Sequence, residues 1–302
     1  MRSFHMKRLI IGLGLSVLLA MMLSGCNLQP ALGTEGNPIV WVLLPSHDNQ
    51  KLLDDAQRLT ALLRDASGIV IKPMVASNYE EAVRDLSTGK AHMGILDPFS
   101  YIVAHSQKYV SAALSPVRWG STFHASQIIV SRKSGLRSIA ELRGKSFCRP
   151  DSFSASGWVI PFILMRNEGL DPAKDLAHVG DVGSPTRVIE SVYDGIYDAG
   201  ATCVDARDQL VGKLPDVKRW VLVISASHPI PNEAIVFAGK VPEEIQEKTI
   251  QTLLKVANDK KYKNVIEHFY SWEGLVRTRD SFYDSLRETL STAGVETKNV
   301  IK

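Results

Sequence analysis

Gly144-Lys-Ser-Phe-Cys-Arg-Pro-Asp-Ser-Phe-Ser-Ala-Ser-Gly-Trp-Val-Ile-Pro161 reads as a short strand (Lys145 to Arg149), a polar turn, and a helix that runs on through Arg166. The turn carries three small hydroxyl residues, Ser152, Ser154 and Ser156, and ends in Gly157. The first N–H groups of a helix have no intrahelical acceptor, and the helix dipole places partial positive charge there. Small side chains let an anion approach those groups, and hydroxyls add donors of their own. The segment therefore reads as an anion cradle; on its own it reads equally as a serine cap, so the rest of the chain has to decide.

Residues 1 to 25 read as a lipoprotein signal peptide. Arg2, Lys7 and Arg8 are basic, Leu9 to Leu23 is apolar but short for a bilayer span, and Leu23-Ser24-Gly25-Cys26 resembles a lipobox. Lipidated Cys26 would hold the mature chain at a membrane surface on the extracytoplasmic side. Residues 26 to 37, with Pro30, Gly33 and Gly36, read as a flexible tether.

The chain has 35 Lys and Arg against 32 Asp and Glu. The leader holds three of the basic residues and no acidic one, so the mature part is balanced. A balanced chain without a basic run argues against nucleic acid as a partner. The remaining cysteines, Cys148 and Cys203, are too few for a disulfide scaffold; one bridge or two buried thiols are both open.

Beyond the leader, strand and helix patterns alternate. Pro38 to Leu44 is a buried-type strand, Asn49 to Asp65 carries a helical apolar stripe, and Ile69 to Val75 is a second strand. A helix over Tyr79 to Leu86, a strand over Ala91 to Leu96 and a helix over Phe99 to His105 follow. The same order recurs with strands at Ser146 to Arg149, Ala177 to Val182 and Asp198 to Val204. Pro45 and Gly94 stand 49 positions apart, and Pro150 and Gly200 stand 50 apart. Such alternation predicts parallel βαβ units with right-handed crossovers, and the repeat predicts two lobes of one plan.

Ser126 to Arg132 reads as extended between the repeats. Trp220 to Ser225 and Glu233 to Ala238 read as further strands, and only helix is expected beyond them. That terminal part should pack on the first lobe. The expected organisation is a first lobe of residues 38–125 and 235–302, with residues 126–234 inserted as the second lobe. Each lobe would be an α/β layer around a mixed five-stranded sheet, and two crossing strands would form a hinge. In open α/β sheets ligands sit outside the carboxyl ends of the strands. Facing lobes would bring Pro45-Ser46, Ser77-Asn78-Tyr79, Asp97-Pro98, the Ser152 to Gly157 turn, Gly183-Ser184 and the Thr202 to Asp205 segment around one cleft. Asp97-Pro98 reads as an ordinary strand-to-helix turn, outside the core of the site.

These residues resemble the substrate-binding proteins of phosphate, phosphite and phosphonate ABC transporters, which have the type II periplasmic-binding fold. The likeness runs over roughly residues 37 to 295. It rests on the Ser154-Ala-Ser156-Gly157 turn with its following aromatic and proline, on Gly195 to Ala201 (Gly-Ile-Tyr-Asp-Ala-Gly-Ala), and on Pro229-Ile-Pro231. The resemblance implies that Ser154, Ala155, Ser156 and Gly157 hold the phosphorus oxyanion, with Tyr79 and His124 as further contacts. It implies that Asp205 and Glu233 read the ligand's donors, and that Ser184 lies at a second contact turn. Where many members have Gly-Ser-His-Asp this chain has Gly183-Ser184-Pro185-Thr186, and Ala155 stands where they have a hydroxyl. Two polar contacts are lost by these changes.

A carboxylate beside a fully ionised anion repels it, so Asp205 and Glu233 make sense only for a ligand that brings a P–OH or an amine. The expectation is an extracytoplasmic binding lipoprotein, monomeric and without cofactor or metal, that passes a small oxyanion to an ABC permease and ATPase. A second reading is a sensor lipoprotein of the same fold that acts with a receptor histidine kinase on a phosphorus oxyanion or arsenite. Catalysis is not expected. Neither Ser154 nor Ser156 has a convincing base, Arg143-Gly-Lys-Ser146 lacks the leading glycine of a phosphate loop, and the eight histidines have no ligand spacing.

Overall fold

The computed structural model describes residues 30–204 and 206–297. The signal peptide, Cys26, the first part of the tether and Asp205 lie outside the described residues. The chain begins with β1 (Ile39–Leu43), whose side chains are buried at four of five positions. The following helix, α1 (Asn49–Ser67), is capped by Asp48, which accepts from Lys51 N; Gly68 ends it at φ 73°. Glycine adopts that left-handed conformation without the Cβ penalty. Leu52, Ala56, Leu59 and Leu63 put its apolar stripe into the core.

The alternation continues with β2 (Ile71–Val75), α2 (Tyr79–Thr88), β3 (Met93–Leu96) and α3 (Pro98–Ser106). After β4 (Val110–Val117) and the two-residue β5 (Phe123–His124), the chain crosses into a second sheet at β6 (Ser126–Ser131). That lobe continues with β7 (Ser146–Arg149), α4 (Ile160–Asn167), α5 (Pro172–Asp175), β8 (His178–Asp181), α6 (Pro185–Tyr193) and β9 (Ala199–Cys203). The chain then forms α7 (Val217–Trp220), β10 (Val221–Ala226) and β11 (Ile230–Pro231), and returns to the first sheet as β12 (Ala234–Ala238). It ends with α8 (Glu243–Ala257), α9 (Lys263–His268), β13 (Gly274–Arg277) and α10 (Asp284–Thr292).

The two sheets share one plan. The first has strand order β13-β4-β12-β3-β1-β2 and the second β10-β6-β9-β7-β8. In each, a parallel trio (β2-β1-β3, β8-β7-β9) is joined by one antiparallel strand, β12 or β6, and then by an outer strand. The two-lobed fold expected from the repeat is the fold observed.

The first sheet nevertheless has six strands where five were expected. The extra one is β13, antiparallel to β4 and bonded to nothing else in the sheet. It lies in the part expected to be wholly helical. It is four residues long with its last two exposed, so its sequence carries neither an alternating nor a continuously apolar run.

The two crossings between lobes are stitched together. β5 pairs with β11, His124 opposite Ile230 and Phe123 opposite Pro231. Asn232 N donates to Thr122 O at 2.8 Å, and the Asn232 side-chain amide donates to Pro116 O at 2.9 Å and Ser121 O at 3.0 Å. The lobes also touch through apolar contact. Phe153, Ala155, Val159, Ile160 and Ile163, from the second lobe, belong to the same buried cluster as β1, β3 and β12.

Candidate functional site

A cleft of about 510 Å³ lies where the carboxyl ends of the strands face each other. After β1 come Leu44, Pro45 and Ser46; after β2, Tyr79; after β3, Asp97. The second lobe contributes Ser154 and Ser156 after β7, Ser184, Pro185 and Thr186 after β8, and Cys203 from β9. Arg118, His124 and Glu233 line the cleft from the crossings.

The Ser154 turn does not open directly into an α-helix. Ala155–Val159 forms a wider π-type turn that runs into α4. Ser154 caps it: its Oγ accepts from Gly157 N at 3.1 Å, and its carbonyl accepts from Trp158 N at 2.9 Å and Val159 N at 3.0 Å. Gly157 is required by space. A Cβ there would lie 2.2 Å from Pro150 Cδ, closer than any carbon pair can tolerate. The Ser126 hydroxyl braces the turn from β6 by donating to Ser156 O at 2.6 Å.

Two of the cradle amides are therefore already engaged. Gly157 N–H is used by the cap, and Ala155 N–H donates to Asp97 Oδ1 at 2.8 Å. Ser156 N–H and the Ser156 hydroxyl make no hydrogen bond among the described residues, so they remain for a ligand. The first lobe receives a matching contact, since Asp151 Oδ2 accepts from Tyr79 N at 3.1 Å across the cleft. Each aspartate also takes the amide two residues on, Asp97 that of Phe99 (2.9 Å) and Asp151 that of Phe153 (2.7 Å). The Phe99 and Phe153 rings meet at 5.9 Å. Two Asp-x-Phe turns thus clasp each other across the base of the cleft.

A second helix N-terminus lies beside the first. Ser184 caps α6 by accepting from Arg187 N at 3.3 Å, and its hydroxyl is 3.4 Å from Thr186 Oγ1. Pro185 has no N–H to satisfy, and Thr186 N–H, in the first turn, has no intrahelical acceptor.

At the crossings, Arg118 Nη1 lies 2.8 Å from Glu233 Oε1, with side chains only 14% and 18% exposed. Burial works to raise Glu233, but the Arg118 guanidinium outweighs it and holds its carboxyl below the usual range. Glu233 Oε2 is buried without a partner among the described residues. His124 Nδ1 is 2.9 Å from Asn232 Oδ1. Because the Asn232 amide nitrogen donates to two carbonyls, its Oδ1 is an acceptor, and His124 bears its proton on Nδ1. Burial, helped by Arg118, pushes His124 below its ordinary pKa, so the neutral ring offers Nε2 as an acceptor. Burial and then Asp97 push the Tyr79 phenol well up, which keeps it a donor.

The phosphonate ABC transporter periplasmic substrate-binding protein family model matches residues 41–283. The chain belongs to that family. As a family member it is an extracytoplasmic transport component and not an enzyme. It is 22% identical over 310 residues to the phosphate-import protein PhnD of Mycolicibacterium smegmatis, spanning 92% of this chain and 94% of the relative. Among solved structures, it is similar to a binding protein component of an ABC phosphonate transporter from Pseudomonas aeruginosa. That match has a TM-score of 0.78 and 17% identity and covers 85% of this chain and 87% of the other. Prochlorococcus marinus PhnD1 in complex with methylphosphonate matches with a TM-score of 0.74 and 17% identity, covering 85% and 98%.

Within this phosphonate-family cleft, the structure gathers Ser154, Ser156, Ser184, Tyr79, His124 and Glu233. Ala155 and Gly157 are the buried backbone of the turn, and Asp205 lies outside the described residues. Sequence reading placed Asp97 at the cleft but gave it no site role, and it gave none to the lining residues Arg118, Thr186 and Tyr270, whose hydroxyl donates to Leu44 O. Asp97 was read as a plain turn; the available signal was the recurrence of Asp-x-Phe at residues 97–99 and 151–153. Nothing local marks Arg118, whose partner is 115 residues away.

The bridge considered for Cys148 and Cys203 does not form, and both are free thiols. On adjacent strands, Cys148 is in register with Gly200. Cys203 is thus three residues further along, about 10 Å at ~3.3 Å per residue, beyond the reach of a disulfide.

Proposed function

We propose that the protein captures a small phosphorus oxyanion (phosphonate, phosphite or phosphate) in this cleft and presents it, lobes closed, to the permease and ATPase of an ABC importer. One observation carries the reading: two helix N-termini with free amides, Ser156 and Thr186, converge with hydroxyls of Ser154, Ser156 and Ser184 on one cleft. The lining lysine and arginine are already paired. Arg118 is held by Glu233 and Lys51 by Asp55 at 2.6 Å. The positive end of the site is therefore made of neutral donors and helix dipoles, which suit a small oxyanion. The acceptors, Glu233 Oε2 and His124 Nε2, suit a ligand that keeps a P–OH or carries an amine. A site that pairs such a donor rejects an analogue without it by a factor of about ten thousand.

The methylphosphonate carried by the Prochlorococcus protein and the phosphate import of the mycobacterial relative support this ligand class. The chain would be anchored through lipidated Cys26, act as a monomer, and divide into an inserted second lobe of residues 126–234 and a discontinuous first lobe. A thermal-shift screen with phosphate, phosphite, methylphosphonate, aminoethylphosphonate, sulfate and arsenite tests the reading. A ligand at about a hundred times its dissociation constant adds roughly 2.7 kcal/mol of stability. No shift with any phosphorus compound would remove the proposed ligand.

A further inference from the structure

We propose that Asp97 is a specificity-determining residue of the cleft, a carboxylic acid kept in its protonated form so that Oδ2–H donates to a ligand oxygen while Oδ1 holds the Ala155 amide. The proposal rests on the oxyanion reading above.

The geometry assigns the two oxygens different work. Oδ1 accepts from Phe99 N at 2.9 Å, within its own lobe, and from Ala155 N at 2.8 Å, from the other. Oδ2 makes no hydrogen bond among the described residues, and Asp97 lines the cleft while only 6% exposed. A carboxyl group thus stands where an incoming anion would otherwise take the Ala155 amide. Ionised, it would repel that anion; protonated, it replaces the amide with an O–H donor.

The groups around it favour the proton. From the second lobe Asp151 faces it, and from the crossings Glu233 does, itself held by Arg118. Tyr79 lies beside it on α2, and His124 and Tyr270 complete the wall. Among the described residues Arg118 is the one arginine or lysine lining this end, and Glu233 takes it. Burial raises the Asp97 pKa most, the Ala155 and Phe99 amides pull it down, and Glu233 and Asp151 push it up again, to about 8. Such a group is a donor at neutral pH and an anion in alkali.

The test compares wild type with Asp97→Asn, which keeps the Oδ1 acceptor for both amides and a permanent donor at the other position. Dissociation constants for methylphosphonate and inorganic phosphate are measured by calorimetry from pH 6 to 9.5. The ligand's own ionisation affects both proteins alike and cancels in the ratio of the two constants. The ratio, wild type over variant, should be flat below pH 7 and rise by about tenfold per pH unit above pH 8.

A ligand-free measurement runs beside it. With its folded pKa raised, wild type binds an extra proton when folded between the ordinary carboxylate range and pH 8. Its stability therefore falls relative to Asp97→Asn as pH rises through that window, and the gap in thermal midpoint should widen from pH 5 to pH 8 and then level. Binding with a constant ratio, or a midpoint gap unchanged from pH 5 to pH 9, overturns the role of Asp97 alone. Failure of both probes to bind either protein overturns the oxyanion reading, and this proposal with it.

Discussion

Ser154 and Ser156 show how two identical side chains, two positions apart, do different work. The Ser154 hydroxyl is the cap of the turn, accepting from Gly157 N, whereas the Ser156 hydroxyl has no partner among the described residues. Losing a hydrogen bond to a charged ligand costs about 1–3 kcal/mol, and losing a serine cap costs about 1 kcal/mol of stability. Ser156→Ala should therefore weaken methylphosphonate binding by that amount in calorimetry and leave the denaturant midpoint in place. Ser154→Ala should lower both. Arg118 makes the opposite case, since its removal leaves the Glu233 carboxylate buried and unpaired. The pair is less than a fifth exposed, so it falls nearer the buried than the surface regime. Arg118→Gln should cost stability near the lower end of about 3–5 kcal/mol at pH 7. Glu233 is held below its ordinary pKa when folded, so the pair's contribution is present above the carboxylate range and lost as pH falls through it. The deficit of Arg118→Gln, read from urea midpoints, should shrink between pH 7 and pH 3.5; a deficit constant with pH would rule out this account.

At the scale of elements, the cradle is a compromise between a helix and a close approach to the end of the strand that leads into it. Gly157 packs against Pro150, with no space for a methyl group, and Pro161 follows within the first turn of α4. Gly157→Ala should force the turn away from Pro150 and cost about 1–3 kcal/mol. It should also weaken phosphate binding, because Ser156 N–H moves with it; an unchanged urea midpoint would show that the turn relaxes freely. The legibility of the sequence follows the same line. Elements that bury one continuous face, such as α1 with Leu52, Ala56, Leu59 and Leu63 or β1 with its apolar run, could be read within two residues of their ends. The strand β4 could not, because Ser111-Ala-Ala-Leu-Ser-Pro116 lacks β-branched residues and becomes a strand only between β12 and β13. β13 depends in turn on β4. The Ser154 turn was legible because its chemistry is local. Asp97 was not, because its meaning depends on an amide 58 residues away.

For the whole molecule, the question is what distinguishes contacts that make the lobes from contacts that close them. The base of the cleft is apolar and shared, and the β5–β11 ribbon is only two residue pairs long. A bend there disturbs few hydrogen bonds. The rim is different. His47, in the loop after β1, lies 3.2 Å from Glu190 on α6, and the Arg187 guanidinium donates to His47 O at 3.4 Å. Glu190 is also held by Lys213 at 2.7 Å, within its own lobe. A contact spanning the mouth of the cleft can exist only while the lobes are together, so it acts on opening and release, leaving ligand capture by the open form untouched. His47 is 44% exposed, and even a fully charged exposed pair contributes no more than about 1 kcal/mol. Glu190→Ala should then speed ligand dissociation in stopped-flow by about fivefold at most, with an unchanged association rate and a smaller effect than Ser156→Ala on affinity. A slower association rate with unchanged dissociation would mean that the rim pair guides the ligand inward and does not hold the closed lobes.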